Sequence, residues 1–381
     1  MQDGGTAGGS GRDKFAASPL LVIWEVTRAC DLACVHCRAS AIPTREPHEL
    51  TTDEGRRLIS EVRGFGRPVM VFTGGDPLKR PDIFDLIEAS AQQGLPTHLS
   101  PSGTPLLTHD ALWRAQRRGL NGISISFDGS NSDIHDRFRR VKGSFGWSLE
   151  GAGAAVGLGL QLQVNTTVTR HNLHDLPAIA SLVGSLEAHR WSVFLLVPTG
   201  RAAAEQQISP AETEEILTWL YRLSKEARFR IKTTEAPHYR RITLQQQAAE
   251  SGTPAATRIA GSAGGRFVPG MNDGSGFVFV SSRGDVHPSG FLPITAGNVR
   301  TDSLVDLYRS HPLFVALRDP DRLKGRCGRC EFRAVCGGSR ARAFATTGDY
   351  LDEDPACVYE PAPGALLQGG TSFTDGGGMR P

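Results

Sequence analysis

Residues 24–40 read WEVTRACDLACVHCRAS, and this stretch decides how the rest of the chain is understood. Cys30, Cys34 and Cys37 stand at i, i+4 and i+7, directly after the apolar, strand-like run Leu21–Val26. A loop can bring three thiolates at that spacing onto one metal centre. Three is one fewer than an isolated structural zinc site or a fully ligated iron–sulfur cube requires. The deficit leaves two possibilities. Either a zinc ion is completed by His36 or a distant side chain, or one iron stays open to an exogenous molecule.

Working outward from this loop, short apolar runs alternate with amphipathic stretches. Strands are expected at Leu21–Val26, Val69–Thr73, Pro96–Ser100, Gly122–Phe127, Leu160–Val168 and Trp191–Val197. Helical patterns lie between them, near 52–64, 82–93, 108–118, 145–158 and 173–186. Such alternation predicts repeated βαβ units and a parallel sheet. The expected fold is therefore α/β, a partial (β/α)6 TIM-like barrel. A further helix near 210–227 leads to the strand-like FRIKTT and the polar APHYRR. Beyond them, FVFVSSRGDVHPSG reads as a hairpin turning at Arg283–Gly284, followed by a short helix near 303–310. The domain division expected is a loose tail at 1–17, a barrel at 18–245, a flexible connector at 246–266, a smaller unit at 267–360 and a second tail at 361–381.

The chain has 381 residues, with 42 Lys plus Arg against 40 Asp plus Glu. That balance provides no basic face for nucleic acid and no footprint for an anionic membrane. No apolar run is long enough to span a bilayer, and MQDGGTAGGSGRDKF lacks the apolar core of a secretory signal. A cytoplasmic protein is expected. The seven cysteines form an odd count in two tight groups, which argues against a disulfide framework and for metal ligation.

The second group lies in KGRCGRCEFRAVCGGSRARAFATTGDYLDEDPACVY, where Cys327, Cys330 and Cys336 are joined by Cys357 21 residues later. Four thiolates complete either a zinc ribbon or a fully ligated iron–sulfur cluster, and spacing does not choose between them.

The C-x3-C-x2-C loop, together with the motifs at later strand ends, strongly resembles the radical SAM superfamily. The resemblance implies that Cys30, Cys34 and Cys37 hold a [4Fe–4S] cluster whose open iron site chelates S-adenosylmethionine, with His36 against the adenine. It implies one-electron cleavage of that cofactor to a 5′-deoxyadenosyl radical, chemistry the cofactors carry and the protein positions. TGGDP (Thr73 to Pro77) resembles the family's GGE-type turn, so Gly74, Gly75 and Asp76 are expected around the methionyl amino group, with Asp76 in place of the usual glutamate. LSPSGTPLL stands where relatives carry STNG, so Ser100 or Ser102 could face the cofactor. SISFDGS brings Ser126 and Asp128 near ribose and amino acid, HDRFRRVKGSF brings Arg139 to the carboxylate, and QVNTTVT brings Asn165. All would sit at the strand C-termini, where barrel sites are built.

The C-terminal unit resembles the SPASM/Twitch type, which implies one auxiliary [4Fe–4S] cluster on Cys327, Cys330, Cys336 and Cys357. Ser289 and Arg340 stand where many relatives place further cysteines. Within the superfamily the ending resembles the branch of haem d1 and alternative haem biosynthesis, and more distantly peptide maturases such as that of mycofactocin. The implied substrate is a tetrapyrrole-like small molecule, with a ribosomally made peptide as the alternative. The implied electron donor is of the flavodoxin or ferredoxin kind. KTTEAPHYRR (Lys232 to Arg241) and the SRARA arginines, Arg340 and Arg342, could hold a ligand with several carboxylates, or could be solvated or interdomain charges. A structural zinc or electron-transfer protein would have no use for the three-ligand deficit or for motifs at four later strand ends.

Overall fold

The computed structural model describes residues 15–252 and 270–361. Seven strands lie side by side in chain order, each parallel to its neighbour: β1 (Leu21–Glu25), β2 (Val69–Thr73), β3 (Thr97–Leu99), β4 (Gly122–Ser126), β5 (Gln161–Val168), β6 (Arg190–Leu195) and β7 (Arg230–Thr234). FRIKTT, outside the six expected barrel strands, is thus a seventh parallel member. The hairpin strand β8 (Phe277–Val280) adds parallel to the free edge of β1, with Leu21 opposite Phe277. Antiparallel β9 (Asp285–His287) and β10 (Gly297–Asn298) come next, so the described strands form one ten-stranded sheet.

Period-two alternation sets what each face of the sheet meets. On β5 the side chains of Leu162, Val164, Thr166 and Val168 are buried, against the covering helices, while Gln161, Gln163, Asn165 and Thr167 line the interior. On β1, Val22 and Trp24 are buried in the core and Leu21 and Ile23 line the interior. The concave face therefore mixes polar and apolar side chains around an open cavity.

The covering helices are α1 (Thr52–Val62), α2 (Ile83–Gln92), α3 (His109–Arg117), α4 (Ser132–Arg139), α5 (Ser144–Gly157), α6 (Leu176–Ser185) and α7 (Pro210–Leu223). Local chemistry sets where they begin. Thr51 and Glu54 form a reciprocal capping box at α1, and Ser209 and Glu212 repeat it at α7 with Pro210 in the first turn. The helix α8 (His238–Ser251) runs into the stretch expected as a connector. Residues 253–266 of that stretch, and the expected tails over 1–14 and 362–381, lie outside the described residues. Phe15 is buried, and its carbonyl accepts from Tyr308 Oη at 2.7 Å.

Candidate functional site

Cys30, Cys34 and Cys37 sit on the loop after β1, on the wall of a cavity of about 990 Å³ inside the curled sheet. Arginines hold this loop by its carbonyls. Arg28 donates to Ala39 O at 3.2 Å and Ser40 O at 3.0 Å, and Arg201 donates to Cys34 O at 3.1 Å and Ala41 O at 2.9 Å. Arg38 pairs with buried Glu25 at 2.9 Å. Each sulfur also meets a donor. Leu32 N–H lies 3.3 Å from Cys30 Sγ, Ala41 N–H 3.4 Å from Cys37 Sγ, and Arg139 Nη1 3.6 Å from Cys34 Sγ. These donors favour thiolates. Burial acts the other way, pushing the Cys30 thiol up to about 11 and Cys34 upward as well. Buried thiols arranged to receive donors, yet costly to ionise alone, suit a metal centre that brings its own positive charge.

The glycine turn packs directly under this loop. Gly75 N–H donates to Thr27 O at 2.8 Å and Asp76 N–H to Ala29 O at 2.7 Å. A Cβ on Gly75 would stand 2.5 Å from Ala29 O, so only glycine allows the approach. Gly75→Ala should push the cysteine loop outward and cost about 1–3 kcal/mol. Iron content after reconstitution and the melting midpoint should both fall; wild-type values for both would show that the loop tolerates the shift.

The structure does not put every expected residue on the cavity wall. Gly74, Gly75, His36, Ser100, Ser126, Arg139 and Asn165 line it; Asp76 and Asp128 do not. Asp76 is fully buried, accepting from Thr104 Oγ1 at 2.7 Å and Leu78 N–H at 3.1 Å. Its carboxylate fastens the turn instead of meeting the cavity. Asp128 accepts from Thr167 N–H at 2.7 Å and forms an ion pair with Arg139. Arg139 thus joins Asp128 to Cys34.

The rest of HDRFRRVKGSF supports this pair. His135 Nδ1 accepts from Asp128 N–H at 3.2 Å, and Asp136 caps α5 by accepting from Gly143 and Phe145 N–H at 2.7 and 2.8 Å. Phe138 packs its ring 4.5 Å from that of His36. Burial, then Arg139, holds His36 well below the usual histidine range, so its imidazole is neutral, and its Nδ1 is unmatched. A neutral ring with a free nitrogen in the wall can accept from a ligand.

Further residues complete the wall. Ser102 Oγ donates to Gly75 O at 2.6 Å and lies 3.4 Å from Cys30 Sγ, so of the two serines expected here it is the one beside the thiols. Arg190 and Lys232 face the cavity from β6 and β7, and Phe194, Phe279 and Phe291 give it an aromatic side. Strand parity is the signal that would have found Arg190, Phe194 and Phe279, whereas Lys232 belongs to KTTEAPHYRR, expected above as a ligand holder.

Cys327, Cys330, Cys336 and Cys357 surround a second, smaller pocket with His238, Arg241 and Tyr359. Burial raises all four thiols, Cys330 to about 12. Asp354 N–H and Arg340 Nη2 point at Cys327 Sγ from 3.5 and 3.7 Å. Arg340 thus offers a charge toward the sulfurs from a position where a further cysteine would have been a ligand. Ser289 is buried and accepts from Phe291 and Leu292 N–H at 3.2 Å each.

A three-thiol loop after the first strand of a parallel α/β barrel, with a glycine turn beneath it, defines a radical SAM protein. The chain belongs to the Radical SAM superfamily, which it matches over residues 24–183. It is 41% identical to the "AdoMet-dependent heme synthase" of Methanosarcina barkeri, over 90% of this chain and 97% of that one. It is 43% identical to the protein of the same name from Nitratidesulfovibrio vulgaris, over 90% and 92%. The fold is shared with Streptococcus suis SuiB in its structure bound to S-adenosylmethionine, at TM-score 0.69 and 16% identity over 90% of this chain and 78% of that one. Among the described residues no helix is long and apolar enough to cross a membrane.

Proposed function

We propose that the protein is a radical SAM haem synthase that modifies carboxylate-bearing side chains of a tetrapyrrole precursor. The observation that carries this reading is the cavity. It combines an aromatic side with cations, and its volume lies at the upper end of the range for cofactor-sized ligands. Among the described residues its lining holds a single Asp or Glu, Glu235, whose carboxyl is pushed well above its usual range by burial and by neighbouring Asp273. A flat apolar ring edged with carboxylates matches such walls, and relatives above 40% identity carry the haem synthase name.

In this reading Cys30, Cys34 and Cys37 hold the [4Fe–4S] cluster, and the other four cysteines hold an auxiliary one. When bound, the first cluster and S-adenosylmethionine supply a carbon radical able to take a hydrogen atom from an unactivated carbon. The chain's own residues do the positioning. The Gly74–Gly75 backbone, Ser100, Ser126 and Asn165 offer donors and acceptors from successive strand ends. Arg139 presents a guanidinium to an anionic group while Asp128 fixes its direction. His36 offers its free nitrogen against Phe138. Asp76 acts indirectly, through the turn it fastens.

The test is an anaerobic assay with dithionite and S-adenosylmethionine, following 5′-deoxyadenosine by chromatography and tetrapyrrole mass, with and without iron-coproporphyrin III. The expected result is deoxyadenosine formation stimulated by the porphyrin, with mass lost from it. Deoxyadenosine without stimulation or mass change would overturn the tetrapyrrole assignment and favour a peptide substrate. No deoxyadenosine from an iron-loaded sample would overturn the mechanism.

A further inference from the structure

Most cations around the main cavity are already engaged. Arg38 is paired with Glu25 and Arg139 with Asp128, while Arg67 donates to Gly94 O at 2.9 Å. Two differ. Arg190 meets only the neutral amide of Gln163, Nη1 to Oε1 at 3.4 Å. Lys232 has no carboxylate partner among the described residues. The β6–β7 register sets Ser192 opposite Lys232 and Arg190 opposite Arg230, so the two cations approach one cavity from adjacent strands, one step apart along the interior face. Burial, Arg190 and Arg240 pull the Lys232 ammonium down to about 8, as expected for a cation held in place without a counter-charge. The aromatics of the same cavity are Phe194, whose ring lies 6.2 Å from that of Phe291, and Phe279.

A half-buried cation that faces a cavity with no counter-charge is poorly compensated and favours an anionic ligand beside it. The nearest wall carboxyl in sequence, Glu235, has its pKa raised by burial and by Asp273, and it is engaged with Ser339 Oγ. Among the described residues this leaves the ligand as the source of a counter-charge for Lys232.

We propose that Lys232, assisted by Arg190, is the specificity-determining anchor for one ionised side-chain carboxylate of the substrate, while the ring lies against the phenylalanines. Lys232 stands mid-strand on β7, whereas the thiols of Cys30, Cys34 and Cys37 lie beyond the C-terminal end of β1. Through Ser192, Lys232 is in register with Asn165 of β5, so the anchored carboxylate and the cofactor share one cavity wall. This inference rests on the tetrapyrrole reading of the same cavity.

The test measures binding to reconstituted, S-adenosylmethionine-loaded protein by the fluorescence of metal-free coproporphyrin III and of its neutral tetra-N-methylamide. Lys232→Met should weaken binding of the acid on the order of 10- to 100-fold and leave the amide unaffected. Lys232→Arg should restore most of the acid's affinity, and Arg190→Gln should weaken the acid to a lesser degree. A structural role for Lys232 would weaken acid and amide alike, and that result overturns the anchor. So does wild-type affinity for the acid in Lys232→Met, the tetrapyrrole reading then standing without it. A wild-type protein that binds neither porphyrin removes the tetrapyrrole reading, and the anchor with it.

Discussion

Cys30→Ala should abolish reductive cleavage of S-adenosylmethionine, whereas Cys357→Ala should keep much of that cleavage and lose haem formation or fold stability. The argument is spatial. Cys30 receives Leu32 N–H, touches Ser102 and sits in the wall of the large cavity. Cys357 belongs to the pocket beside His238 and Arg241, at the foot of α8. In the first site a three-ligand cluster has no thiolate to spare, and removing one leaves two. In the proposed auxiliary cluster the protein would fill all four positions, which would leave no place for a ligand to bind iron. Each variant should drop from about eight irons per chain to about four. Deoxyadenosine should be absent from Cys30→Ala and present with Cys357→Ala under dithionite. Equal loss in both would show that the two centres are not divided in role.

How much of this is legible in the sequence depends on what each residue answers to. The barrel strands are readable because apolar runs and amphipathic helices recur at regular spacing, and the thiol loop is readable because three cysteines fall in eight residues. Motif order also brings Arg139, Gly74, Gly75 and Asn165 to the cavity. Asp76 and Asp128 depart from expectation for a common reason. A carboxylate at a strand end is satisfied most cheaply by donors a few residues away or on the next strand, here Thr104 and Leu78 in one case, Thr167 and Arg139 in the other. Sequence shows that a carboxylate is present but not which donors fold back onto it. The cations expected as ligand holders separate in the same way. Lys232 faces the cavity by strand parity, but Arg340 and Arg342 are fully buried, Arg340 on the carbonyls of Gly338, Tyr350 and Asp352.

Arg342 gives the largest stability effect expected in the molecule. Its guanidinium donates to both oxygens of Asp354 at 3.2 and 3.1 Å, to Glu235 O at 2.7 Å and to Leu196 O at 3.4 Å. One side chain thus ties the carbonyls just past β6 and β7 to the segment carrying Cys357. Asp354 is also fully buried, and accepts in addition from Ser339 N–H at 2.6 Å and faces His238 Nε2 at 3.0 Å. Arg342, then His238, holds its carboxyl far below the ordinary aspartate value against the upward pull of burial. Removing one member of such a buried pair costs about 3–5 kcal/mol, because the other charge stays behind unpaired. Arg342→Met should show that loss in denaturant unfolding at neutral pH. The depressed carboxyl fixes the sign of the pH dependence. Its contribution is present above the unfolded aspartate value near 3.8 and is lost as pH falls through the still lower folded value. The gap between wild type and Arg342→Met should therefore narrow in acid. Because Asp354 N–H also points at Cys327 Sγ, the variant should load less iron at the second site and leave the first one filled. A loss under about 1 kcal/mol, the range of an exposed ion pair, would mean that the contact does not clamp the C-terminal segment to the barrel.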